Sequence, residues 1–211
     1  MNKEILLAPI TALCEELESQ FDLIPEARKS KLLLLKDYIR RKYNDDEVPQ
    51  LTVICTHNSR RSHLGQVWLA VGSLYYDLPV IQTFSGGTEA TAFNSRAVAA
   101  LRRVGFEISQ TKETSSNPVY HIKWSAEIPA YQAFSKKYDS APNPTERFGA
   151  ILVCSEADTG CPVVAGADFR LFLPFEDPKA FDDTAQETVM YDERCRQIGR
   201  ELLFALSDIR W

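Results

Sequence analysis

From residue 51 onward the chain alternates short β-rich runs with helical stretches, and this order restricts the fold more than any other feature. "LTVIC" (51–55) is followed by "SHLGQVWLAVGSLYY" (62–76), and "VIQTF" (80–84) ends at "SGG". "FNSRAVAALRRVGF" reads as a second helix, "GAILVC" (149–154) as a third strand and "DFRLFLP" (168–174) as a fourth. Thr184 and Glu187 have capping-box spacing and are expected to open a C-terminal helix reaching about residue 207. Strands separated by helices predict an α/β fold, a parallel sheet with helices on both faces.

Two further regions flank or interrupt this pattern. In residues 1–50, Leu6, Ile10, Leu13, Leu17 and Phe21 recur at helical spacing, and a second helical run opens near Pro25. An N-terminal helical extension over 1–50 and an α/β domain over 51–211 are therefore expected. Residues 109–148 hold the aromatic, strand-like "VYHIKWSAEIPAYQAF" and the turn-rich "YDSAPNPTERF", which predict an inserted loop or hairpin.

Composition narrows the function. The net charge of -5 speaks against a nucleic-acid partner, which demands a concentrated basic surface. No run approaches the roughly 20 apolar residues of a membrane-spanning helix. The N-terminus carries acids inside its apolar pattern and has no cleavage site of a secretory signal. Five cysteines, an odd number in a chain long enough to build its own core, then predict a cytoplasmic setting with reduced thiols. Cys14 and Cys195 lie on apolar helix stripes and are expected in the core.

Cys55 is different, because it stands where the first strand ends and a helix is about to begin. Ligands of open α/β sheets bind outside the carboxyl ends of strands. Backbone N–H groups and the helix dipole there bind anions, and the same field favours thiolate over thiol. Arg61 adds a permanently charged planar fork suited to two oxygens of a tetrahedral oxyanion. Cys-x5-Arg followed by Ser62 thus supplies a nucleophile, an oxyanion cradle, a clamp, and a hydroxyl that can donate to the thiolate.

Residues 55–62, "CTHNSRRS", resemble the phosphate-binding loop of the low-molecular-weight protein tyrosine phosphatases. They equally resemble that of the thioredoxin-coupled arsenate reductases, whose loop reads C-T-G-N-S-C-R-S. Thr56, Asn58, Ser59, Arg61 and Ser62 match. His57 stands in place of a glycine, which puts the loop's geometry in question, and Arg60 in place of a cysteine. Thr56, His57, Asn58, Ser59, Arg60 and Ser62 are the oxyanion-binding positions that the resemblance implies. The Arg60 side chain is expected to point to solvent. The fold implied is flavodoxin-like, with four parallel strands.

"CSEADTGCP" (154–162) carries Cys154 and Cys161, seven apart with Gly160 between, a spacing that can close a small disulfide after rearrangement. It lacks the two-residue spacing of structural zinc sites, and the three histidines are scattered, so no metal is expected. Two buried spectator cysteines are the plain alternative. The stretch closely resembles the redox segment C-S-D-A-D-x-x-C-P of the arsenate reductases. By that resemblance Cys55 is the nucleophile, Cys154 the resolving thiol and Cys161 the shuttle that presents a disulfide to thioredoxin, without any cofactor. In "FEDPK" (175–179), Asp177 sits past the fourth strand before a proline, where a carboxylic acid can protonate a departing oxygen. Both families place an Asp-Pro there. Glu176, Asp182 and Asp183 are expected to be solvated or capping. The resemblance covers about 51–108 and 150–207. It implies reduction of arsenate to arsenite with a thioredoxin-like reductant. A phosphatase acting on phosphotyrosine or a small phosphoester is the alternative, and a non-catalytic anion sensor is the third reading.

Overall fold

The computed structural model describes residues 2–111, 115–155 and 163–210. Two helices open the chain, α1 (Ala8–Glu18) and α2 (Glu26–Asn44). Pro9 sits in the first turn of α1, where its missing N–H has no intrahelical partner to lose. Ile10, Leu13, Cys14 and Leu17 form the buried stripe of α1, and Leu32, Leu35 and Ile39 that of α2. Each such leucine or isoleucine contributes about 1.5–3 kcal/mol by leaving water.

The α/β unit follows as β1 (Gln50–Cys55), α3 (Arg61–Tyr75), β2 (Gln82–Gly87) and α4 (Ser95–Arg103). Strands β3 (Glu107–Gln110), β4 (Tyr120–Lys123) and β5 (Tyr131–Ala133) come next. The chain then forms β6 (Phe148–Leu152), β7 (Ala167–Phe172) and the last helix α5 (Glu187–Leu206). Strands β2-β1-β6-β7 make a parallel sheet in that order. With helices around it, this is the expected flavodoxin-like α/β arrangement. Residues 51–55 of β1 are all buried, as expected of a central strand covered on both faces. Helix α3 is buried nearly all round, since it packs on β1 and β2 and also against α5.

From β1 the chain goes to one side to form β2 and later returns on the other side as β6. The carboxyl ends of β1 and β6 therefore flank the point where strand order reverses, the natural crevice of such sheets. Cys55 stands there, opposite Gly87 of β2.

Three expectations need correction. The second strand does not stop before "SGG", because Ser85, Gly86 and Gly87 are its last three residues. Helix α5 begins at Glu187 without a side-chain cap from Thr184. Asp183 takes a positive φ of 62°, and Glu187 turns back to accept from its N–H at 2.7 Å, while Thr184 Oγ1 serves Gln186 N–H at 3.3 Å. The turn thus uses the capping residues before the helix starts. The inserted segment is more than a loop or hairpin. Residues just after α4 supply β3, so β3-β4-β5 form a three-stranded antiparallel sheet. The chain start also leans on this small sheet, with Leu7 N–H donating to Trp124 O at 2.9 Å. No helix among the described residues is long and apolar enough to cross a membrane.

Candidate active site

The loop after Cys55 is held by the carbonyls of residues 55–60, each of which meets a hydrogen-bond partner. Cys55 O accepts from Thr88 N–H at 3.1 Å, Thr56 O from Glu89 N–H at 2.8 Å, and His57 O from Ser135 Oγ at 2.9 Å. Asn58 O meets His63 Nε2 at 3.0 Å, Ser59 O accepts from Asn94 N–H at 2.8 Å, and Arg60 O from Leu64 N–H at 3.1 Å. With the carbonyls engaged outside, the N–H groups of residues 57–61 take part in none of the hydrogen bonds formed among the described residues. Unengaged amides ahead of a helix N-terminus are suited to an anion.

Two side chains orient the thiol. Asn58 Nδ2 donates to Ser62 Oγ at 2.9 Å, and Ser62 Oγ lies 3.1 Å from Cys55 Sγ. The serine oxygen accepts from Asn58 and keeps its own proton to donate to a thiolate at Cys55. Asn58 has φ 44°, a left-handed conformation that asparagine tolerates better than most residues. Its Oδ1 accepts from Lys136 N–H at 2.9 Å. His57, in place of the resemblance's glycine, does not take a positive φ, and its exposed ring sits 3.6 Å from Glu89. The loop therefore accommodates a side chain at 57 without a left-handed backbone there.

Arg61 is buried beneath this loop. Its Nη1 donates to Phe175 O at 2.8 Å and its Nη2 to Asp177 Oδ2 at 2.7 Å. Its Nε is buried and has no hydrogen-bond partner among the described residues. A donor of that kind beside a ring of unengaged amides suits an oxyanion, because burying it without a partner costs about 1–3 kcal/mol. Asp177 Oδ1 caps a short 3-10 turn by accepting from Lys179 N–H at 3.0 Å. Thr56, His57, Arg60, Arg61, Asp177 and Lys179 line one cleft of about 450 Å³.

Arg60 does not point to solvent. Its side chain is 11% exposed, with Nε donating to Tyr191 OH at 2.8 Å and Nη2 to Asp182 Oδ2 at 3.4 Å. The solvated role expected of Asp182 is corrected with it, because Asp182 also accepts from Tyr191 OH at 2.7 Å and lies 3.7 Å from Arg96. Burial, with Asp182 beside it, pushes the Tyr191 phenol up to about 12, so it remains a neutral donor between the two charges. Asp183 is exposed and pairs with Arg96 at 2.6 Å, and Glu176 is exposed and meets Arg194 at 3.1 Å.

Cys154 follows β6, is buried, and has its Sγ 3.4 Å from Thr56 Oγ1, the residue next to Cys55. Cys161 lies outside the described residues. Cys14 and Cys195 are fully buried among helices, and burial pushes both thiols up to about 12. Among the described residues no cluster of His, Cys, Asp and Glu could hold a metal ion.

Several site residues escaped sequence reading. Ser135 and Lys136, from the inserted segment, tie it to the loop through His57 O and Asn58 Oδ1. His63 is fully enclosed and stacks on Phe93 with centroids 4.0 Å apart. Burial, with the Lys136 ammonium nearby, pushes its imidazole down to about 3. A neutral His63 donates from Nε2 to Asn58 O and accepts at Nδ1 from Ser85 Oγ, 3.3 Å away. The "SGG" motif was the available signal. A Cβ at Gly87 would stand 2.6 Å from Asn58 N, and one at Gly86 would stand 2.3 Å from Tyr138 Cα. The glycines let the loop and the insertion close onto β2.

No family model matches the chain. It is 27% identical over 127 residues, 59% of its length, to arsenate reductase 2 of Staphylococcus epidermidis, covering 75% of that protein. It is 26% identical over 151 residues to an arsenate reductase of Halalkalibacterium halodurans, covering 71% of this chain and 88% of that one. A low-molecular-weight phosphotyrosine phosphatase structure from Vibrio cholerae aligns with 74% of this chain and 93% of its own, at 13% identity and a TM-score of 0.48. The chain is thus similar in sequence to arsenate reductases, and these relatives support an enzyme of this type.

Proposed function

We propose that this protein reduces arsenate to arsenite by a thiol relay and is recycled by a thioredoxin-like dithiol. The observation that carries the reading is the second thiol at the loop. Cys154 stands two residues past the strand beside β1 and its sulfur lies 3.4 Å from the Thr56 hydroxyl, a position that hydrolysis of a phosphoester does not require. The arsenate reductase relatives support the same choice of substrate.

The thiolate of Cys55 attacks arsenic(V) while Arg61 and the loop amides hold the remaining oxygens. Asp177 protonates the departing oxygen, which leaves as water. In the resting site Asp177 is paired with Arg61; an incoming oxyanion competes for that guanidinium and releases the carboxyl group toward the leaving oxygen. Cys154 then attacks the Cys55 sulfur. An S–S bond forms, the S–As bond breaks, and its electron pair stays on arsenic, which departs as arsenite. Cys161 attacks Cys154, forms the Cys154–Cys161 disulfide and returns Cys55 as thiolate. Two electrons from the external dithiol restore both thiols.

Disulfide mapping by mass spectrometry tests the relay. One equivalent of arsenate without reductant should leave Cys154–Cys161, and Cys161→Ser should stall at Cys55–Cys154. Cys154→Ser should stop arsenate turnover while retaining any aryl phosphate hydrolysis. Efficient aryl phosphate hydrolysis with no arsenate-dependent disulfide would replace this function with that of a phosphatase, for which Cys55, Arg61 and Asp177 suffice.

A further inference from the structure

The segment that carries Asp177 is gripped residue by residue by three arginines, and one of them comes from the N-terminal helix pair. Arg28 of α2 donates from Nη1 to Pro174 O at 2.8 Å and lies over the Phe175 ring, 4.7 Å from its centroid. Arg61 of α3 takes the next carbonyl, Phe175 O, and Arg194 of α5 reaches the Glu176 carboxylate at 3.1 Å. Phe175 N–H closes onto Val153 O at 3.0 Å. Arg28 is itself aimed by Glu201 of α5. Its Nε donates to Glu201 Oε2 at 2.8 Å, with Nη2 2.6 Å from the same oxygen. The Glu201 side chain is 3% exposed, and its other oxygen accepts from Gln197 Nε2 at 2.9 Å.

A planar guanidinium suits this job because its fork can serve a carboxylate and a carbonyl at once while its face covers an aromatic ring. Pro174 offers no N–H, so that end of the segment can be fastened only through its carbonyl or ring. Three residues further on stands Asp177, which meets Arg61 and the 3-10 turn and has Arg60 Nε 3.9 Å from its Oδ1. We propose that Arg28, clamped by Glu201, is a positioning residue for the proton donor: helix α2 sets where Asp177 stands relative to Arg61 and the loop. This assigns the N-terminal helices a part in turnover, and it rests on the reading of Asp177 as general acid.

Arg28→Met alone would leave Glu201 buried without its counter-charge, so the test variant combines Arg28→Met with Glu201→Gln. Arg28→Lys serves as a second variant, which keeps the charge pair but cannot hold Glu201 and Pro174 O together. Hydrogen exchange reads the segment without substrate. The Phe175 and Lys179 amides should exchange at least ~10-fold faster in the double variant, with the amides of β1 unchanged. Single-turnover reaction with arsenate should slow about 100-fold, the scale of a misplaced catalytic group, and Arg28→Lys should fall between this variant and wild type. Protection of Cys55 from alkylation by phosphate should stay within about twofold, since the amide ring is anchored elsewhere. In an Asp177→Asn background the same changes should cost nothing further, because the segment then has no acid to place. Unchanged exchange at 175 and 179, or losses that multiply with Asp177→Asn, would overturn the inference. Wild-type turnover in Asp177→Asn alone would instead remove the general acid, while the exchange data would still judge the hold of Arg28.

Discussion

Lys136→Met should stabilise the protein near neutral pH. The Lys136 side chain is almost wholly buried, and its ammonium makes no hydrogen bond among the described residues. Its one favourable contact of note is the Phe134 ring, 5.0 Å from Nζ to the centroid. Burial holds the ammonium down to about 8 from its ordinary value of 10.5. At about 1.4 kcal/mol per pH unit, keeping it charged in the fold costs about 3 kcal/mol. The cation–π contact, which methionine loses, returns about 1 kcal/mol, so a net gain of about 2 kcal/mol is expected at pH 7. For a chain of this size that is a rise of about 4–8 °C in Tm. The sign with pH follows from proton counting. Between about pH 8 and 10.5 the unfolded chain holds a proton on Lys136 that the folded protein has lost. Wild-type stability therefore rises through that window, and the full penalty applies below it. Urea unfolding of wild type and variant at pH 7 and pH 10.5 gives the test, since other titrating groups cancel in the difference. The gap should shrink as pH rises. A gap that does not change with pH, or a variant less stable than wild type at pH 7, would refute the reasoning.

Iodoacetamide at pH 6 should modify Cys55 far faster than Cys14 or Cys195, whose thiols burial pushes up to about 12. Phosphate or arsenate should slow that reaction, and equal labelling of the three by peptide mass spectrometry would remove Cys55 as nucleophile. Asp177→Asn should lower turnover by about 100- to 10,000-fold where chemistry limits the rate. Phosphate protection of Cys55 should be no weaker in that variant, because Arg61 is no longer held by a carboxylate at 2.7 Å. Turnover equal to wild type would exclude Asp177 from the mechanism.

Local sequence was a reliable guide wherever the controlling physics is local. The apolar run ending at Cys55, the helix beginning at Arg61 and the Asp-Pro after β7 are each set by neighbours within a few residues. The hydroxyl of Ser62 beside the thiol follows from the same short loop. Arg60 was misjudged because its environment is not local. Tyr191 and Asp182, far along the chain, draw it out of solvent.

The order of apolar runs and loop residues by itself determined a parallel α/β sheet and set Cys55 at the end of its first strand with Arg61 at the start of the helix that follows. Period, propensity and loop chemistry act over the few residues that the sequence displays side by side. Only the tertiary structure decided what surrounds that loop. Ser135 and Lys136 of the inserted sheet hold its backbone, His63 locks Asn58, and Arg28 of the N-terminal pair reaches Pro174, 146 residues away. Those contacts depend on which surfaces meet when strands and helices bury a shared core. Hydrogen-bond geometry between distant segments leaves no period or motif in the chain from which it could be read.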